Sequence, residues 1–106
     1  MSGAMGQRQT LFVSRHPGMV EWARQQGVVV DERITHLSAV RLAALRPGDR
    51  VIGTLPVHLA AKVCQRGGHY LHLSLDLPSD LRGKELTAAD MRHCNARLEE
   101  YGVTKV

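Results

Sequence analysis

Leu11-Phe-Val-Ser-Arg-His-Pro-Gly18 is the stretch on which the fold turns. Leu11, Phe12 and Val13 are apolar and favour strands, the next three residues are polar, and Pro17 opens a run with helical spacing. Proline suits the first helical position because its missing N–H would have no intrahelical partner there. The stretch therefore reads as a strand running into a helix through Ser14, Arg15 and His16. In open α/β sheets ligands gather where strand ends meet helix N-termini. Helix-start amides, a guanidinium, a hydroxyl and an imidazole at one such junction suit a phosphate.

Outward from this junction the same grammar repeats. Thr10–Ser14 is the expected first strand, and Pro17–Gln26 carries Met19, Val20, Trp22 and Ala23 at helical spacing before Gly27 stops it. Val28–Val30 reads as a connector or short strand and Arg33–Leu37 as the second strand, ending at His36, after which Ser38 caps a short helix through Leu45. Arg46-Pro47-Gly48-Asp49 is a turn before the third strand, Arg50–Thr54. Pro56 begins the next helix, with Leu59, Ala60, Val63 and Cys64 on its apolar face, and Gly67-Gly68 ends it. His69–Leu75 is the fourth strand, in which Leu71, Leu73 and Leu75 alternate with Tyr70, His72 and Ser74, so its two faces should differ in chemistry. Pro78–Lys84 reads as a loop, and Thr87–Tyr101 as a final helix with Thr87 as cap and Asp90 completing a capping box. This order predicts an α/β protein: a compact Rossmann-like three-layer domain with a mainly parallel sheet of four to five strands and right-handed crossovers.

The 106 residues make one domain, residues 7–106, preceded by Met1–Gly6, which reads as an expression remnant. Fourteen Lys and Arg against ten Asp and Glu give a net charge of +4 and a pI near 9.6, a balance that favours an anionic partner. Lysine occurs only at Lys62, Lys84 and Lys105, and arginine is the better residue for forked recognition of phosphate. With Phe12, Trp22, Tyr70 and Tyr101 as the aromatic residues, a stacking platform for single strands is not expected. Cys64 and Cys94 lack a Cys-x-x-Cys spacing and read as reduced thiols of a cytoplasmic protein, with no signal sequence and no membrane span.

Neither a metal nor a cofactor is expected. His69 and His72 on a strand point to opposite faces, and His93 and Cys94 on a helix diverge by about 100°. The glycine-rich dinucleotide and nucleotide-triphosphate loops and the nucleophile elbow are all missing. What the topology does gather, at the C-terminal ends of the strands, is Ser14–His16, His36, Gly53–Pro56 and Ser74–Asp76. Gly53-Thr54-Leu55-Pro56 repeats the logic of the first junction: Gly53 permits close backbone approach, Thr54 offers a hydroxyl, and His58 lies in the first turn of the helix that follows. Each residue also has a plain structural use. Ser14 and Thr54 serve as helix caps, Arg15 and His16 as exposed loop residues, His36 and His72 as packed or surface imidazoles, Asp76 as a cap before Pro78, and Trp22 as core.

The combination of Phe12-Val-Ser-Arg-His-Pro-Gly18, Glu21-Trp22-Ala23, Asp49-Arg-Val-Ile-Gly-Thr-Leu-Pro-Val-His-Leu-Ala60 and His72-Leu-Ser-Leu-Asp-Leu-Pro78 is far more specific than any piece. With Asp90-Met91 and Arg97-Leu-Glu-Glu100, it resembles the CRISPR-associated Csx-sixteen family that accompanies type III systems, over Thr10 to Tyr101. The resemblance implies a ring nuclease that degrades a cyclic oligoadenylate messenger, most simply cyclic tetra-adenylate, in a homodimer with the ring across the two-fold axis.

Chemistry then suggests roles. Arg15, His16 and Ser14 are the expected catalytic residues, with Arg15 on the charge of the phosphorane and His16 moving a proton, since an imidazole suits either direction near neutrality. Pro17, Gly18, Gly53, Thr54, Leu55, Pro56, His58 and Asp76 are the expected ligand-binding residues, with His58 as alternate acid or base and Asp76 orienting a histidine. The alternatives are a binder that sequesters the ring without cutting it, and a DNA-binding regulator. The second is disfavoured because the last predicted helix mixes Arg92 and Arg97 with Asp90, Glu99 and Glu100, so no stable DNA binding is expected.

Overall fold

In a computed structural model, which describes residues 8–106, the chain folds into three layers, α/β/α. Met1–Gly6, the expected expression remnant, lies outside the described residues. The sheet is built from β1 (Thr10–Val13), β2 (Glu32–Ile34), β3 (Arg50–Gly53), β4 (His69–Ser74) and β5 (Arg97–Tyr101), in the order β2-β1-β3-β4-β5. The first four strands are parallel and β5 runs antiparallel to β4. The helices are α1 (Pro17–Gln25), α2 (Ala39–Ala43), α3 (Val57–Gln65) and α4 (Ala88–His93), with a 3-10 turn at Ser79–Leu81.

Strand alternation divides the core in two. Phe12, Ile52 and Leu73 point to the face covered by α1 and α4, where Val20, Trp22, Ala23, Ala88 and Met91 pack on them. Leu11, Val51 and Tyr70 point to the other face, under Ala60 and Val63 of α3 and beside Leu37 and Leu45. Phe12, Ile52 and Val51 have no exposed surface, as expected of central parallel strands buried on both sides. Trp22 is core. Cys64 and Cys94 are both unpaired thiols.

The last predicted helix is corrected. α4 stops at His93, and Arg97–Tyr101, expected to continue it, forms β5 instead. Asn95 takes a left-handed conformation at φ 55°, its N–H reaches the carbonyl of Arg92 and the N–H of Ala96 reaches that of Met91. This pair of bonds is the Schellman ending. α1 and α3 end the same way at Gly27 and Gly67, and those ends were legible because glycine marks them. The start of α4 is as expected: Asp90 N–H donates to Thr87 Oγ1 and Thr87 N–H donates to Asp90 Oδ2, which holds the Asp90 carboxyl below its ordinary range.

Smaller shifts matter more for the site. β2 is earlier and shorter than Arg33–Leu37, so His36 lies in a bend past the strand, and Val28–Val30 is not a strand. α2 is capped by Ser38, whose Oγ accepts from Arg41 N–H, but ends at Ala43 rather than Leu45. Pro17 is the first residue of α1, whereas Pro56 is the N-cap of α3, one position before the helix. Among the described residues no helix is long and apolar enough to cross a membrane.

Candidate functional site

β1 and β3 lie side by side, yet α1 leads from β1 outward to β2 while α3 leads from β3 the other way to β4. The two helices pack on opposite faces of the sheet, so the strand order reverses between β1 and β3 and the loops beyond them separate. A crevice must open there. It is a cleft of about 560 Å³, within the usual range of small-molecule sites.

The cleft has a polar rim and an apolar floor. Ser14, Arg15 and His16 come from the first junction, Thr35 and His36 from beyond β2, and Gly53, Thr54, Leu55 and Pro56 from the second junction. Val13, Met19, Leu37, Leu59 and Leu73 supply the floor. No carboxylate lines it among the described residues. Neither α1 nor α3 has an acidic residue in its first turn, so the positive end of each helix dipole is not offset by its own sequence.

The first junction is a tight turn held from two sides. Ser14 N–H donates to the Ile34 carbonyl at 2.8 Å, and its Oγ accepts from His16 N–H at 2.9 Å and lies 3.2 Å from Met19 Sδ. The serine hydroxyl is thus turned into its own loop. Arg33, reaching across from β2, donates through Nη1 to the Ser14 carbonyl at 3.0 Å. Arg15 is left exposed, with no hydrogen bond or ion pair among the described residues. His16 is the N-cap of α1, but its side chain makes no capping bond, and its Nδ1 is enclosed without a hydrogen-bond partner. An enclosed polar atom left without a partner costs about 1–3 kcal/mol, so this imidazole is held by the loop around it and not by its own bonding.

The second junction is held by a phenol. Tyr70, only 2% exposed, donates through its hydroxyl to the Gly53 carbonyl at 3.1 Å and accepts from Leu55 N–H at 2.9 Å. Gly53 is required by close approach: a Cβ there would stand 2.8 Å from the Val13 carbonyl oxygen, in the first junction's strand. Pro56 offers α3 no side-chain cap, which leaves the first amides of that helix facing the loop. Burial pushes the Tyr70 phenol above its ordinary range, partly offset by the Leu55 amide and reinforced by Tyr101.

Other expected ligand residues fall elsewhere. Pro17 lines a separate groove with Val20, Glu21, Arg24 and Arg33. Gly18 lies against the Leu86–Thr87 backbone, where a Cβ would be 2.7 Å from Thr87 Cα, so its smallness serves the seat of α1. His58 is exposed on the first turn of α3 and does not line the cleft. Asp76 accepts from Asn95 Nδ2 at 3.3 Å and stands 3.6 Å from Arg97 Nη1; no histidine is among its partners. The β5 correction explains this, because Arg97 pairs with Ser74 in the strand register and stands near Asp76. Arg33 and Tyr70, which hold the two loops, were not expected as site residues, and nothing local in the sequence marks them.

Residues 11–104 match the family model described as "Putative CRISPR-associated protein (Cas_VVA1548)". The chain belongs to this CRISPR-associated family. The match includes both junctions, the loop-holding Arg33 and Tyr70, and the β4–β5 pair. No curated protein and no solved structure matches the chain.

Proposed function

We propose that this CRISPR-associated protein is a ring nuclease that opens a cyclic oligoadenylate, most simply cyclic tetra-adenylate. The observation that carries the proposal is the cleft itself. Two helix N-termini, an unpaired Arg15 and an imidazole without a hydrogen-bond partner converge in it, and no carboxylate opposes them among the described residues. That set of groups suits a phosphodiester. The apolar floor of Met19, Leu37 and Leu59 suits a nucleobase. The resemblance to the Csx-sixteen family narrows the nucleotide to a cyclic oligoadenylate.

The chemistry is written with the donors present. The ribose 2′-oxygen attacks the adjacent phosphorus, the bond from phosphorus to the 5′-oxygen breaks, and the product carries a 2′,3′-cyclic phosphate. His16 takes the 2′-OH proton or gives one to the leaving 5′-oxygen. Arg15 stabilises the phosphorane charge, and the amides of the two helix starts with the Thr54 hydroxyl hold the phosphate oxygens. Ser14, whose hydroxyl accepts from His16 N–H, shapes the turn that aims both residues. The homodimer that the resemblance implies lets two copies, related by a two-fold axis, divide the ring between their clefts. His58 and Asp76 then lie on the outer surface, where a second copy or a flanking nucleotide reaches them.

Incubation of the protein with labelled cyclic tetra-adenylate in EDTA tests this. Linear products ending in 2′,3′-cyclic phosphate are expected. Stoichiometric retention of the intact ring would replace the nuclease with a sequestering protein, and tight binding of duplex DNA at physiological salt without binding of the ring would replace both.

A further inference from the structure

The geometry points to the Nδ1 proton of His72 as the feature that lets the Tyr70 hydroxyl hold both ends of the Gly53–Leu55 loop, one wall of the cleft. A phenol has one proton to donate and two positions at which to accept. Tyr70 has three partners: Leu55 N–H at 2.9 Å, the Gly53 carbonyl at 3.1 Å and His72 Nδ1 at 2.7 Å. The amide can only donate and the carbonyl can only accept. The phenol proton therefore belongs to Gly53, and all three bonds coexist only when Nδ1 of His72 carries a proton and donates it. With a bare Nδ1, the phenol proton turns to the imidazole and Gly53 loses its bond. The loop is held at both ends in one arrangement and at one end in the other.

The surroundings leave His72 to this task. The strand register sets Gly53 opposite His72, and the Tyr70 and His72 rings meet edge-on with centroids 5.8 Å apart. The Tyr101 ring lies tilted to the imidazole with centroids 5.7 Å apart. Glu99 is opposite His72 in β5, but its carboxylate accepts from Ser74 Oγ at 2.7 Å and lies 3.7 Å from Arg97 Nε. Tyr70 is thus the side-chain hydrogen-bond partner of His72 among the described residues.

The test combines 15N NMR of the His72 ring with Tyr70→Phe and His72→Leu. The ring spectrum should show the proton on Nδ1, the arrangement in which all three bonds coexist. Amide exchange at Leu55, followed by NMR, should quicken about tenfold in Tyr70→Phe, the scale of one hydrogen bond. In His72→Leu it should stay near the wild-type rate, because the phenol still accepts from Leu55 and donates to Gly53 once the imidazole is gone. A bare Nδ1 in the wild-type protein, or quickened Leu55 exchange in His72→Leu, would overturn the inference. Neither readout uses a nucleotide, so the inference stands or falls apart from the proposed function.

Discussion

The two strand-to-helix junctions look alike in sequence and are built for different tasks. Both run from an apolar strand through polar residues to a proline at a helix start. The first, Ser14–His16, places at the rim an imidazole and a guanidinium that is unpaired among the described residues, and its backbone is held by the Ser14 hydroxyl and by Arg33. The second, Gly53–Pro56, has no titratable side chain, and its backbone is held by the buried Tyr70 phenol. One junction brings a guanidinium and an imidazole to the rim, and the other brings a wall of backbone held by the phenol. Repeated local grammar thus places both junctions on one cleft, while under the proposed function the side chains between strand and proline decide which junction acts on the ligand.

The comparison breaks most sharply at Arg15 and His16. Arg15→Ala and His16→Ala should each lower single-turnover opening of cyclic tetra-adenylate by about 10²–10³-fold with the fold intact, the scale for loss of a charge-stabilising donor or an acid-base group. Thr54→Ala at the second junction should have a far smaller effect. Equal losses at Arg15 and Thr54, or none at Arg15 and His16, would dissolve the division between the junctions.

Gly53→Ala tests whether the two junctions press on one another. The added methyl meets the backbone oxygen of Val13, which cannot swing away as a side-chain tip can. A loss of about 1–3 kcal/mol in denaturant unfolding is expected, the cost of overpacking. A neutral substitution would mean that the wall is not seated against β1.

The smallest effect concerns the phenol. Burial raises the Tyr70 pKa in the folded state above its unfolded value. Its contribution to stability is therefore complete below the ordinary tyrosine range and is lost as pH rises through the folded value. Thermal melts of the wild type and of Tyr70→Phe should differ little in pH trend up to about 9 and diverge above about 10, where only the wild type has this phenol to ionise. Parallel curves across that range would show that the wall does not depend on a neutral phenol.

How much was legible follows from the range of the forces involved. Pro17, Gly27, Pro56 and Gly67 announced helix starts and ends because each acts on its own backbone. The end of α4 used the same bonds with Asn95 in place of glycine, and asparagine has many other uses. The helical spacing of Thr87–Tyr101 then ran on past it into Arg97–Tyr101, which has no strand alternation strong enough to oppose a helix. Ser14, Arg15, His16, Gly53, Thr54, Leu55 and Pro56 were read as one site from topology, and they line one cleft. Asp76, gathered by the same topology, is occupied by Arg97 and Asn95, and Gly18, which adjoins the first junction in sequence, by the Leu86–Thr87 backbone.

The sequence by itself determined the three-layer α/β plan and the two junctions, because strand preference, proline and glycine are local properties of the backbone. Only the tertiary structure decided that β5 closes the sheet, that Arg33 and Tyr70 hold the two loops, and that Asp76 faces Arg97. These are pairings between residues 19, 17 and 21 positions apart along the chain. Such contacts form only once the sheet has set its register.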